Sequence, residues 1–222
     1  MNAQLKIAIS ISLMLFCQGA SAALYNYDSG NLNATITDNN ANGYQNSLIV
    51  TDPIGTVSKV TVTLNISGGF NGDLYGYLVH LDANGQNSGF AVLLNRVGVT
   101  ALNPDGSSDA GFIITLSDSA STDIHNVSND GAPVTGTYLP DARTADFSSF
   151  NGGNAQGTWT LFFADVSAGD ESTLVSWNLQ LTTPVPEPVT TALIIFGGLA
   201  AVRAVARFVL RQRDIGEHAN NN

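Results

Sequence analysis

GTWTLFFADVSAGDESTLVSWNLQL, residues 157–181, decides the fold. Trp159, Leu161 and Phe163 alternate with Thr158, Thr160 and Phe162, and Val175, Trp177, Leu179 and Leu181 alternate with Ser176, Asn178 and Gln180. A period of two in β-branched and aromatic residues marks strands with one buried face. The polar link 165–172, which carries Gly169, is short enough to fold the second strand back beside the first. The stretch therefore predicts the closing hairpin of a β-sandwich. Both tryptophans of the chain fall on its inward faces, where an indole brings more apolar area than other side chains.

The same period recurs upstream. Val60, Val62, Leu64 and Ile66 alternate with Thr61, Thr63 and Asn65. After the break Gly68-Gly69-Phe70-Asn71-Gly72, residues 73–81 resume with Leu74 and Leu78 on one face, Tyr75 and Tyr77 on the other. Phe90, Val92 and Leu94 follow, and behind the turn Asn103-Pro104-Asp105-Gly106 come Phe112, Ile114 and Leu116. Residues 24–46, rich in Asn, Asp, Gly, Thr and Tyr, predict loops around one edge strand near 32–37. Residues 48–51 form a short apolar run, 118–132 are polar, and Phe147 and Phe150 sit in a Ser/Gly/Asn-rich loop. No helical period outlasts one turn. The fold class is all-β, a jelly-roll-type β-sandwich over residues 24–183.

The two ends read differently. Lys6, an apolar run over 7–17 and Ala20-Ser21-Ala22 make a secretory signal peptide, residues 1–23. Cys17 leaves with it, so the mature chain is expected to hold no thiol. Residues 184–188 form a proline-rich linker. Residues 189–202 carry no charge, and 204–210 extend the apolar stretch past Arg203 and Arg207, whose side chains can snorkel. This predicts a single transmembrane helix over 189–210, followed by a basic then polar cytoplasmic tail, 211–222.

Between these ends Lys59, Arg96 and Arg143 face fifteen carboxylates, a net charge of −12. Such a surface repels nucleic acid and anionic lipid and tolerates divalent cations. Catalysis finds little to work with. His80 lies in a strand pattern and His125 in a polar loop, and neither is near a Gly-x-Ser-x-Gly elbow. HExxH, P-loop and dinucleotide fingerprints do not occur. No catalytic residue is assigned. Calcium needs six to eight oxygen ligands on loops, and two clusters offer some. Asp73, Asp165, Asp170 and Glu171 meet if the turns gather at one end of the sandwich; Asn103, Asp105, Ser107 and Asp109 alternate in another loop. The alternative for both is ordinary turn formation.

The tail, with Pro186-Glu187-Pro188, an apolar span and Arg203, Arg207, Arg211 and Arg213, resembles the PEP-CTERM sorting signal of Gram-negative bacteria that make exopolysaccharide. That resemblance implies an exosortase as processing partner, transient anchoring in the inner membrane through the C-terminal helix, and release or attachment at the cell surface. The body resembles the P domain, or Homo B domain, of proprotein convertase-like and bacterial subtilisin-like proteases. The matching pieces are Gly72-Asp73-Leu74, Gly136-Thr137-Tyr138, Gly157-Thr158-Trp159-Thr160-Leu161 with Asp165, and Gly169-Asp170 before residues 174–181. The histidine that precedes Gly-Asp-Leu in the family is absent, so the likeness speaks for the fold. The leading expectation is a non-enzymatic cell-surface or extracellular-matrix protein, structural or adhesive, in contact with extracellular polysaccharide. Two alternatives stand beside it. One is a calcium-dependent glycan-binding module using Tyr75, Tyr77 and Tyr138. The other is a P domain associated with a separate serine endopeptidase.

Overall fold

In the computed structural model, which describes residues 22–141, 146–184, 196–198, 203 and 207, the alternating segments become ten strands. In chain order they are β1 (Leu24–Asp28), β2 (Ala34–Ile36), β3 (Asn40–Val50), β4 (Lys59–Gly68), β5 (Leu74–Asp82), β6 (Asn87–Asn95), β7 (Gly111–Ser117), β8 (Val134–Tyr138), β9 (Gly157–Asp165) and β10 (Ser172–Thr182). One sheet has the order β1-β10-β4-β7-β8, with β2 also on β10; the other has the order β3-β9-β5-β6. Every pairing is antiparallel except β7 with β8.

The alternation works as expected in β4, β7, β9 and β10. Val62, Leu64, Phe112, Leu116, Trp159, Phe163, Leu179 and Leu181 are all fully buried. Residues of both sheets join in one hydrophobic core. Each such side chain contributes about 1.5–3 kcal/mol when taken from water. The two indoles also satisfy their N–H groups: Trp159 Nε1 donates to Ala155 O at 3.0 Å, and Trp177 Nε1 donates to Asn46 Oδ1 at 2.8 Å. The second bond ties β10 to β3 of the opposite sheet. Phe147 and Phe150 form a 3₁₀ turn whose rings are buried, Phe150 lying 5.0 Å from Trp159.

Residues 157–181 do not form a hairpin. β9 lies inside the four-stranded sheet between β3 and β5, and β10 lies inside the six-stranded sheet between the β1/β2 edge and β4. The connecting loop steps across the core instead of turning within a sheet. A link of this length spans the ~10 Å between stacked sheets as readily as it closes a hairpin, and alternation is the same in either case.

Two further expectations change. In β6 the register against β5 shifts between Gly76 and Tyr77, which pair with Leu94 and Val92. Leu94 is buried in the core as expected, but the bulge at Leu93 sends Ala91 and Leu93 inward as well and leaves Phe90 half-buried on the outer face. Residues 24–46 hold β1, β2 and the start of β3, not one edge strand. β1 and β2 are successive pieces along one side of β10, bridged where Leu32 N and Asn33 N both donate to Val175 O, at 2.8 and 3.3 Å.

Ala22–Pro184 is a compact unit of its own. The signal peptide and the Pro186-Glu187-Pro188 motif with Arg211 and Arg213 lie outside the described residues. Of the span expected over 189–210 only Phe196, Gly197, Gly198, Arg203 and Arg207 are described, all helical. Among the described residues no helix is long and apolar enough to cross a membrane.

Candidate functional site

The chain after β4 is shaped by close packing. Gly68 and Gly69 take φ of 71° and 72°, the left-handed region that glycine enters without strain. A Cβ on Gly69 would run into the side chain of Ser172, and one on Gly72 would sit 2.9 Å from Gly106 Cα and closer to Asp105 O. This lets residues 69–73 lie against the 105–111 loop. Asn71, fully buried, donates Nδ2 to Gly111 O at 3.1 Å and accepts from Gly111 N at 2.8 Å. The loop is held in turn by Asp109, also fully buried, which accepts from Ser107 Oγ at 2.8 Å, Asn129 N at 2.7 Å and Gly131 N at 2.8 Å.

Phe70 stands at the centre of this end of the sandwich, half-buried and in no ring pair among the described residues. On one side is a groove of about 600 Å³ lined by Thr100, Asn103, Asp105, Ser107, His125, Asn126 and Ser128. On the other is one of about 270 Å³ lined by Asp73, Asp105, Ser167, Gly169 and Asp170. Phe70 and Asp105 belong to both. The lining is rich in hydroxyls, amides and carboxylates around one aromatic face.

Of the four carboxylates expected to gather here, the fold brings Asp73 and Asp165 together. Asp73 ends the 3₁₀ turn just before β5 and Asp165 closes β9, where Leu74 pairs with Asp165 and Val166 N donates to Asp73 O at 3.0 Å. Asp73 is 6% exposed and Asp165 0%. Burial raises the Asp73 pKa, the Asp165 charge adds to it, and the Ser167 hydroxyl and Arg96 offset part. Burial also raises Asp165, against hydrogen bonds from the backbone of Ser167 and Asn39, with Asp38 adding repulsion. Asp165 Oδ1 accepts from Ser167 N at 3.2 Å, while Oδ2 is buried and has no partner. Arg96 Nη2 is 4.0 Å from Asp73 Oδ1, and its Nε donates to Gly72 O at 3.1 Å. Asp170 is exposed on the rim of the smaller groove; Glu171 is exposed and outside it. Among the described residues no three His, Cys, Asp or Glu side chains converge as a metal centre.

The second cluster stitches its own loop. Asn103 Nδ2 donates to Gly98 O at 3.2 Å and Gly106 O at 2.8 Å, and Ser107 and Asp109 bond each other. The histidines are tied in as well. His80 is 1% exposed and stacks on Trp159 at 4.1 Å; burial lowers its pKa. His125 Nδ1 lies 2.7 Å from Asp141 Oδ2, and its Nε2 lies 3.0 Å from Val99 O. Ser107 lines the groove with His125, but its hydroxyl donates a hydrogen bond to Asp109.

The three tyrosines do not share a face. Tyr138 is on β8 of the six-stranded sheet, its hydroxyl donating to Thr135 O at 2.7 Å. Tyr75 and Tyr77 are on the outer face of β5 in the other sheet. There Tyr77 stacks on Phe162 at 4.7 Å and packs against Phe90 at 5.1 Å, with Tyr75 edge-on at 6.2 Å. Phe162 in turn lies over Gly43 of β3, whose Cβ would come 2.6 Å from Phe162 Cζ. The rings form a row across the sheet whose flat faces are spent on one another. Ile49 and Leu81 on the same sheet are 69% and 37% exposed. Phe70, isolated among glycines, is the aromatic that sequence reading passed over; its flanking glycines were the signal.

Fold and site define an acidic two-sheet β domain with a polar groove at one end. No protein-family model and no curated protein matches the chain. Among solved structures it is similar to the serine protease of Aeromonas sobria in complex with its chaperone ORF2, at 18% identity and a TM-score of 0.43, over 75% of this chain and 27% of that one. The same protease without the chaperone matches at 18% identity and a TM-score of 0.42, over 74% of this chain and 27% of that one. The chain thus spans about a quarter of the length of the structures it matches.

Proposed function

We propose that this is an exported, non-enzymatic protein of the cell surface or extracellular matrix that adheres to polysaccharide through the groove over Phe70. The observation that carries the reading is the pair of polar grooves sharing one unstacked aromatic ring. An aromatic face flanked by hydroxyls, amides and carboxylates suits a saccharide, whose ring has an apolar face and a polar rim. The net charge of −12 between the ends selects neutral or amino sugars over uronic acids. The address rests on the ends: residues 1–23 for export, and Pro186-Glu187-Pro188 with the arginines for exosortase processing.

Binding of the full-length protein to neutral glucans, with alginate as the acidic control, tests the groove by calorimetry. Phe70→Ala is expected to weaken binding about tenfold, the upper end of what one ring contact contributes. Equal binding by Phe70→Ala, or preference for alginate, refutes the reading. A second reading, docking of a partner protein such as a separate protease, is favoured by the Tyr77–Phe162–Phe90 row with Ile49 and Leu81. For that reading, Leu81→Asp abolishes complex formation while Phe70→Ala leaves it unchanged.

A further inference from the structure

We propose that the two grooves beside Phe70 act as one trough that takes an internal run of a linear polysaccharide, and not a chain end; this rests on the polysaccharide reading and says which part of the chain is recognised. Phe70 and Asp105 line both grooves, so a ligand stacked on the ring extends to either side of it. The volumes, about 600 and 270 Å³, set its length. A water takes about 30 Å³ of liquid, and a hexose unit of about eleven heavy atoms takes roughly five to six times as much. The larger arm therefore holds about three units and the smaller about one, a run of about four.

The floor is formed in advance. Asn71 N donates to Asp109 O at 3.0 Å and Gly72 N to Ser107 O at 2.9 Å, so the chain that follows the ring is bonded to the loop walling the larger arm. A fixed floor lowers the ordering cost of binding. The two ends of the domain are far from it. β10 starts at Ser172, which pairs with Gly68 beside the trough, and ends at Thr182, which pairs with Leu24. Thr183 N donates to Ala23 O at 3.0 Å, so the first and last residues of the domain lie side by side, about 33 Å away at ~3.3 Å per strand residue. A polymer can run on past both arms while the domain is held by its opposite end. The arms also differ in charge. Among the described residues Asp73, Asp105 and Asp170 wall the smaller arm, and Asp105 is the one carboxylate on the larger. An acidic substituent is therefore excluded most strongly from the unit in the smaller arm.

Calorimetry on the full-length protein tests this with soluble neutral glucans and, for each glucan bound, its own oligosaccharides from dimer to octamer. Affinity is expected to rise about tenfold or more from dimer to pentamer and then level off. Several protein molecules are expected on each polymer chain, since internal runs outnumber ends. Ala168→Leu on the exposed rim of the smaller arm and Ser128→Leu on that of the larger each weaken octamer binding several-fold at unchanged Tm. A dimer that binds as tightly as the octamer, one protein molecule per polymer chain, or an octamer that responds to only one of the two variants overturns the trough and leaves the polysaccharide reading standing. A protein that binds no polymer overturns both.

Discussion

Gly76→Ala is a change of one methyl group at the point where the two faces of β5 divide. Gly76 pairs in register with Phe163 of β9. A Cβ built on it would sit 3.0 Å from Phe163 Cζ and closer still to Cδ1 and Cε1. Its φ is outside the left-handed region, so alanine meets no backbone penalty, and the whole effect is packing. Carbon atoms settle at about 3.5–4.0 Å, so the ring must retreat. Phe163 is 0% exposed and enclosed in the core, which leaves it nowhere to go without moving neighbours. Overpacking of this kind costs about 1–3 kcal/mol, against about 0.4–1 kcal/mol regained from the stiffer unfolded chain. A net loss of about 1 kcal/mol lowers Tm by about 2–4 °C for a chain of this size. Urea and thermal unfolding followed by fluorescence of the buried Trp159 and Trp177 reads it directly. Phe163→Ala should cost about 3–5 kcal/mol alone, and the double variant should cost at least about 1 kcal/mol less than the sum. A neutral Gly76→Ala, or a cost that does not depend on the residue at 163, refutes the packing argument.

Two other changes probe the scaffold. Burial lowers the His80 pKa below its ordinary 6.5, so the unfolded chain binds more protons in the window just under that value, and stability falls as pH drops through it. His80→Phe, which keeps a ring against Trp159, is expected to flatten the stability profile between about pH 7.5 and 5; denaturant titrations at several pH values that run parallel for both proteins would contradict this. Asp109→Ala strands the Asn129 and Gly131 amides and the Ser107 hydroxyl, at about 1–3 kcal/mol for each group left dry. Hydrogen exchange should show residues 105–111 and 128–132 losing protection before the strands do.

How far the fold could be read in advance depended on what alternation reports. It reports that one side of a strand is buried, and so it identified β4, β7, β9 and β10 and the inward tryptophans. It does not report which strand is the neighbour. β9 and β10 bury their rings toward each other from opposite sheets, and that arrangement has the same pattern as a hairpin. Alternation also fails where burial is slight. β1 and the first half of β3 are built from Asn, Tyr and Gly, and they are strands because β10 and β9 offer them free backbone edges. In β6 a single bulged residue, Leu93, exchanged the two faces, since an extra residue in a period of two reverses every side chain beyond it.

The site was legible to the extent that it depends on strand ends. Asp73 stands just before β5 and Asp165 ends β9, and once those strands pair antiparallel the two residues come to the same end of the sheet. Asp170 and Glu171 sit on the loop that crosses between the sheets, where position is set by the crossing and not by any ladder, so their approach could not be inferred from spacing. Phe70 was hidden for a related reason. In GGFNG the glycines look like a break in the strand, and they are one, but Gly69 and Gly72 are small because Ser172 and the 105–106 backbone press against them. That close approach holds a lone aromatic ring between two polar grooves. A segment whose glycines serve packing and whose single large residue is left without a ring partner is spending stability on something other than the core, which is why binding is assigned there and not to the tyrosine-rich face that sequence pattern makes conspicuous.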